Sequence, residues 1–188
     1  MNLLKKLLET FKQYKPFFFF LAKFFVVYAL LTLVYQTYLN QFNEAAFEVD
    51  GFTKLVASQT KWFTDLLGYQ TAIKPHLLQP SIMYILDGRY VSRVVEGCNA
   101  LSVIILFASF VFAFKGKWPT MFVFIVSGAI AIHILNIVRI GLLSIALLHY
   151  PKYEHLLHGV LFPAFIYGTV FLLWVIWVNK FSSLAKHG

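Results

Sequence analysis

Hydrophobic positions gather in four long runs along the chain, and polar segments of different lengths separate these runs. The runs cover residues 17–38, 97–114, 119–148 and 159–178. A helix needs ~20 apolar residues to cross ~30 Å of hydrocarbon, and each run approaches or exceeds that length. The pattern predicts an all-α, polytopic integral membrane bundle of about four transmembrane helices, in which residues 1–188 form one membrane domain.

The polar segments predict smaller elements beside the bundle. Leucines recur at helical spacing among the lysines of residues 1–16, which is typical of an amphipathic helix on a membrane surface. Within the long polar segment 40–95, the stretch Thr53–Leu67 has an amphipathic pattern that suits the membrane interface. Two extended runs on either side of Asp87-Gly88 predict a short extracytoplasmic β-hairpin.

The distribution of basic residues indicates the orientation. Lysines occupy residues 1–16, the loop 115–117 and the tail 179–188, which all fall on one side of a four-span arrangement. Because basic loops stay in the cytoplasm, we expect a cytoplasmic N-terminus and a periplasmic segment 40–95 in a bacterial inner membrane. A cleaved signal peptide is the competing interpretation of the first run, but Leu39–Phe42 lacks a small-residue cleavage pattern, which predicts a retained helix.

Composition narrows the classes of protein further. Hydrophobic residues make up 60% of the chain and charged residues 13%, too little charge for a soluble surface. The net charge is +8, but the basic residues form no stripe with interleaved polar side chains, so we expect membrane lipid rather than nucleic acid as a partner. A single cysteine excludes an intramolecular disulfide and a multi-cysteine metal site, and no cofactor is expected.

Residues that could take part in catalysis are expected at one depth of the bundle. Cys98 stands at the start of the second run. Arg139 lies twenty residues beyond Pro119, and therefore ~30 Å along the third helix at 1.5 Å per residue. His155 and His158 lie in the loop or the first turn before the fourth run. Three helices would thus bring a thiol, a guanidinium and an imidazole to one face.

Each of these residues also has an ordinary structural interpretation. A lone cysteine is often a buried small hydrophobe, and the histidines suit an interface. An arginine inside a span is costly, and Glu96, with Asn136 one turn earlier, could compensate Arg139. Their coincidence at one depth favours chemistry, in which a thiolate attacks an amide to form an acyl-thioester while arginine stabilises the oxyanion and histidine transfers a proton. If Cys98 starts its helix, the helix dipole also favours its thiolate.

Three segments carry a family resemblance. In chain order, EGCNALSVIILF, NIVRIGLL and HLLHGVLFPAFIYG resemble the exosortase/archaeosortase family, in particular its short F-type exosortase branch, over roughly residues 85–178. The resemblance implies a membrane-embedded cysteine peptidase or transpeptidase. Its substrates would be exported proteins whose C-terminal sorting signal comprises a short motif, a transmembrane helix and a basic tail.

The resemblance also implies roles for individual residues. Cys98 would be the acyl-thioester nucleophile, Arg139 the proton donor and His155 the transition-state stabiliser, with His158 as the alternative. His155 is favoured because it lies four residues before Gly159, the spacing common in the family. Arginine keeps its proton because its pKa exceeds ~12, so physical reasoning assigns proton transfer to the histidine and an electrostatic role to Arg139.

Residues around the proposed nucleophile are expected to support it. Glu96, Asn99 and Asn136 are the supporting candidates. After Cys98 the chain has Asn99-Ala100, where many family members have Ser-Gly, and this departure bears on substrate choice.

Other functions remain open from the sequence alone. One is a non-enzymatic membrane subunit of an envelope assembly or export system, and others are a small anion transporter using Arg139 and a thiol-dependent acyltransferase. A short core of this kind could also need a membrane partner protein. The third helix carries small residues that suit either a substrate helix or internal packing, namely Gly128, Ala129, Ala131 and Gly141.

Overall fold

The computed structural model describes residues 14–114 and 116–182, and for Glu44 it describes the backbone alone. Its helices are α1 (Lys15–Leu39), α2 (Gly51–Leu66), α3 (Leu101–Ala113), α4 (Trp118–His149) and α5 (Pro151–Phe181), and its strands are β1 (Thr71–Pro75), β2 (Ser81–Leu86) and β3 (Arg89–Val95). Short 3₁₀ turns cover Glu44–Ala46 and Glu96–Cys98. Most of residues 1–16 and of the tail 179–188 therefore lie outside the described residues.

Three of the described helices, α1, α4 and α5, are long and apolar enough to cross a membrane. This confirms a helical membrane protein. The remaining apolar helix, α3, has 13 residues and spans only about 20 Å, so the predicted count of four crossings stays a prediction. The sequence places the start of this run at residue 97, but the helix begins at Leu101 because a 3₁₀ turn and a left-handed residue, Ala100, precede it.

One end of the bundle is aromatic and bordered by lysines. Lys23 Nζ donates a hydrogen bond to the carbonyl of Phe112 at 2.6 Å, so the first half of α1 lies beside the end of α3. The rings of Phe124 and Trp177 are 5.0 Å apart, which brings the start of α4 to the end of α5. Lys117 precedes α4 at this same end. Cys98 lies at the other end, as the antiparallel helix order requires.

The helix α2 and a three-stranded antiparallel sheet of order β1-β2-β3 cover that other end. The predicted amphipathic helix is confirmed, and its N-cap is Asp50, whose carboxylate accepts from the Thr53 N–H at 2.9 Å. The predicted hairpin is also confirmed as β2-β3, since Asp87 and Gly88 take φ values of 48° and 76°, the positive values that a tight two-residue turn needs.

The strand β1 was not expected from the sequence. It has five residues and ends at Pro75, so its pattern is too short and too interrupted to predict a strand. A buried hydrogen-bonded cluster holds it to α2: Thr64 Oγ1 lies 2.7 Å from Thr71 Oγ1 and 2.6 Å from the Tyr84 hydroxyl. Burial raises the pKa of Tyr84 to about 12, so this cluster is neutral.

The length of α4 explains how the sheet is held above the bundle. Its 32 residues extend about 48 Å, which exceeds the ~30 Å of a bilayer core. The last turns of α4 therefore pack against α2 and β3, around a core that includes Val56, Tyr84, Val94 and Ile140.

Small residues on α4 serve this packing. A Cβ at Gly141 would lie 2.6 Å from Phe63 Cδ1, and one at Gly128 would overlap the Phe107 ring of α3. The missing side chains at these two positions therefore let α2 and α3 of the protein itself pack closely against α4.

Candidate functional site

A cavity of about 680 Å³ lies between β3, the second half of α4 and the first turns of α5. From α4 it takes one helix face, on which Arg139, Leu143 and Leu147 recur every four residues. Other lining groups come from the strand before the cysteine and from the turns after Pro151. The ionisable or nucleophilic side chains around it are Arg89, Arg93, Cys98, Arg139, Glu154 and His158.

Cys98 lies in the 3₁₀ turn Glu96–Cys98, half-buried against the cavity. The fully buried Asn136 donates from Nδ2 to the carbonyl of Cys98 at 2.8 Å. This bond fixes the segment against α4, one helical turn before Arg139. The expectation that Cys98 opens its helix is wrong, because α3 begins three residues later, and the helix dipole is correspondingly further from the thiol.

Arg139 lies about 31 Å from the start of α4, a distance close to the ~30 Å thickness of a bilayer core. Its Nε is buried without a hydrogen-bond partner. Across residues 14–114 and 116–182, the ion pair found is Lys61–Asp65, so Glu96 does not compensate Arg139 as the structural interpretation required. Because the Arg139 guanidinium has no partner in the described part of the chain, it is available to an anionic group in the cavity.

The two histidines differ in their positions. His158 lines the cavity, whereas His155 does not, although both side chains are exposed. His158 belongs to a π-helical segment, Leu157–Leu161, and such segments frequently occur at functional sites. The geometry therefore brings Cys98, Arg139 and His158 together, and it leaves the candidate that the family spacing favoured, His155, outside.

Glu96 and Asn99 face away from the cavity and fix the cysteine segment from behind. The Tyr35 hydroxyl donates to Glu96 Oε1. Asn99 is buried, and its Nδ2 donates to the Tyr35 hydroxyl and to Thr53 Oγ1, both at 3.1 Å. Asn99 Oδ1 accepts from the Leu101 N–H at 2.9 Å, which satisfies a free donor at the start of α3.

Sequence reasoning did not identify Tyr35, Thr53, Arg89 and Arg93. The first two lie 61 and 46 residues from their partners Glu96 and Asn99, and no local pattern reports contacts over such separations. The sequence did contain a weak indication for Arg89 and Arg93, because they lie on the predicted hairpin strand that leads directly into Cys98.

The cavity is electrostatically positive. Three guanidinium groups, from Arg89, Arg93 and Arg139, line it, against the single carboxylate of Glu154. Arg89 and Arg93 are exposed, and Arg93 also donates to Gln79 Oε1, whereas Arg139 is the least exposed of these three cations. Such a lining favours a developing oxyanion.

Fold and site together define a polytopic helical membrane protein with a thiol, an arginine and a histidine around one cavity at the end of the bundle. A family model described as transmembrane exosortase matches residues 9–178, and the chain belongs to this family. No curated protein and no solved structure matches the chain with significant similarity. The family match confirms the resemblance seen in the sequence, and assignment to the F-type branch stays a prediction.

Proposed function

We propose that this exosortase is a cysteine peptidase or transpeptidase that cleaves the C-terminal sorting signals of exported proteins at the periplasmic side of the bacterial inner membrane. The observation that carries the proposal is the shared cavity of Cys98, Arg139 and His158. The cavity lies at the end of the bundle opposite the lysine-bordered end, which basic-residue asymmetry assigns to the cytoplasm. A substrate with its own membrane helix would thus present its exported segment to the cavity.

The chemistry follows from the three groups. The Cys98 thiolate adds to the carbonyl carbon of the scissile amide, and the C–S bond forms as the carbonyl electrons move to oxygen. Arg139, with an unpartnered Nε, stabilises this oxyanion. When the oxyanion collapses, the C–N bond breaks and the imidazolium of His158 gives its proton to the leaving amine. The product is an acyl-thioester, which water or an acceptor amine then resolves.

The buried polar network behind Cys98 supports this mechanism by holding the nucleophile in place. Asn136 fixes the Cys98 carbonyl, and Asn99 ties the same segment to α1 and α2. These bonds at Cys98 and Asn99 restrain the position of the thiol, which lowers the entropy cost of orienting it at reaction.

Processing of a reporter in cells tests the proposal. The reporter is an exported protein from the same genome that ends in a short motif, an apolar helix and a basic tail, and its size is followed by immunoblot. Cys98→Ala and Arg139→Ala should abolish the size shift that the wild type produces. His158→Ala should also abolish it, whereas the matched variant His155→Ala should retain it. Unchanged processing by Cys98→Ala would refute the enzyme and favour a non-enzymatic membrane subunit.

A further inference from the structure

The strand β3 has a free edge. It is the last strand of the sheet and pairs only with β2. Every second residue of an antiparallel strand directs its N–H and C=O away from the partner strand. Over the described ranges, no group outside the sheet forms a hydrogen bond with the backbone of residues 89–94. Val95 is the N-cap of the 3₁₀ turn Glu96–Cys98, so its carbonyl accepts the first bond of that turn while its N–H stays free. The outer edge of β3 therefore presents unpaired donors and acceptors.

This free edge faces the cavity that contains the thiol. Successive side chains of a strand point to opposite faces of the sheet, so a cavity over one face would contact every second residue. The cavity instead contacts five consecutive residues of β3, Arg89, Tyr90, Val91, Ser92 and Arg93, and also Val95. A cavity with that lining runs along the edge of the strand.

The two edges of the sheet differ in their protection. The other edge strand, β1, carries Lys74 and Pro75, residue types that discourage the addition of a further strand. β3 also carries charged side chains, Arg89 and Arg93, but it contains no proline. A register shift leaves Val91 without a partner in β2, so the regular part of the edge is Ser92–Val95, the part that leads into Cys98.

We propose that the substrate segment preceding the scissile bond binds as an added strand along Ser92–Val95, parallel to β3. The proposal rests on the proposed function for the identity of the substrate. Backbone hydrogen bonds to the free edge would supply affinity, and alternate side chains would enter the cavity. Cys98 follows Val95 by three residues, so a chain in this register reaches the thiol directly after the paired segment.

The parallel direction follows from the path of β3. Ser92 Oγ lies 2.8 Å from Ser144 Oγ, and the carbonyl of Cys98 is bound by Asn136. Asn136 is eight residues earlier on α4, or about 12 Å closer to the membrane-spanning part. β3 thus runs toward the membrane, and a substrate whose C-terminal helix lies in the membrane runs the same way.

Disulfide trapping in native membranes tests this register. The full-length enzyme carries Cys98→Ala together with Arg93→Cys or Val95→Cys. The reporter defined above carries one cysteine, moved residue by residue through the segment before its apolar helix, and a mild oxidant links neighbouring thiols. Lys74→Cys, on the opposite edge of the same sheet, is the matched control.

We expect cross-linking to alternate along the reporter with a period of two residues. The position that links best to Val95→Cys should lie two residues nearer the reporter's C-terminus than the position that links best to Arg93→Cys. Lys74→Cys should not link. If Val95→Cys fails to fold, the exposed Arg93→Cys alone shows the alternation.

The outcomes separate this proposal from the proposed function, because wild-type enzyme is assayed for processing of the same reporter. Uniform cross-linking, a shift toward the N-terminus or no cross-linking overturns the added strand, while processing by the wild type still upholds the peptidase. Alternating cross-links without processing uphold the added strand and overturn the peptidase. If neither alternating cross-links nor processing is observed, the added strand and the peptidase are both overturned.

Discussion

Replacing Gly141 by alanine tests whether the close approach of α2 to α4 holds the sheet over the cavity. The added Cβ would lie 2.6 Å from Phe63 Cδ1 and 3.2 Å from Thr64 Cγ2. Thr64 is fully buried and bonded to Thr71 and Tyr84, so it has little room to move. Overpacking of this kind costs about 1–3 kcal/mol, and the better helix propensity of alanine returns about 0.8–1.0 kcal/mol. We therefore expect the free energy of unfolding to fall by about 1 kcal/mol.

The assay is a dodecyl sulfate titration of the detergent-solubilised protein, followed by tryptophan fluorescence. Gly168→Ala in α5 is the matched control, because a Cβ there meets nothing within 4 Å and only the propensity gain acts. Gly168→Ala should equal or exceed the wild type in stability. The reasoning is refuted if Gly141→Ala is as stable as this control.

Three further predictions use the same preparation. Ala100 has a φ of 66° and a buried side chain, so in Ala100→Gly the relief of about 1–2 kcal/mol of strain is offset by the backbone entropy of glycine and the lost methyl group; the free energy of unfolding should stay within about 0.5 kcal/mol of the wild type, and a fall of more than about 1 kcal/mol contradicts this. Burial raises the pKa of Asp65, but hydrogen bonds from Lys61 and Thr71 outweigh it and leave the pKa below 3.8. The wild type should therefore lose stability more steeply than Asp65→Asn as the pH falls from about 4, where the carboxylate of the unfolded chain becomes protonated, through the lower pKa of the folded state, and parallel pH curves would disprove this. Asn136→Leu removes the bond to the Cys98 carbonyl, worth about 1 kcal/mol, so N-ethylmaleimide should alkylate the sole cysteine about fivefold faster; an unchanged rate would exclude the holding role of Asn136.

The sequence predicted a common level for Cys98 and Arg139 because helical rise fixes distance along a helix. Counting residues from Pro119 places Arg139 near the outer edge of the membrane, and the bond from Asn136 to Cys98 shows that the second apolar run reaches the same level. The hairpin was predictable for a similar local reason, since Asp-Gly supplies the positive φ values that a tight turn needs.

The choice between His155 and His158 was beyond the sequence. The two residues are three apart in a helical region, so both lie within one turn at nearly the same depth. Which of them faces the cavity depends on the rotation of the helix about its axis, and the π-helical segment Leu157–Leu161 alters that rotation. Family spacing favoured His155, whereas the cavity is lined by His158.

The sequence by itself determined the class of the protein, the apolar runs, the position of the hairpin and the common depth of Cys98 and Arg139, because each of these depends on local periodicity, composition or rise. Only the tertiary structure decided that α3 starts after a left-handed Ala100, that Glu96 bonds to Tyr35 rather than to Arg139, and that the edge of β3 lines the cavity. These features depend on how helices rotate and pack against residues far away in the chain. Packing and buried hydrogen bonds between distant segments set them, so no single segment of sequence predicts them.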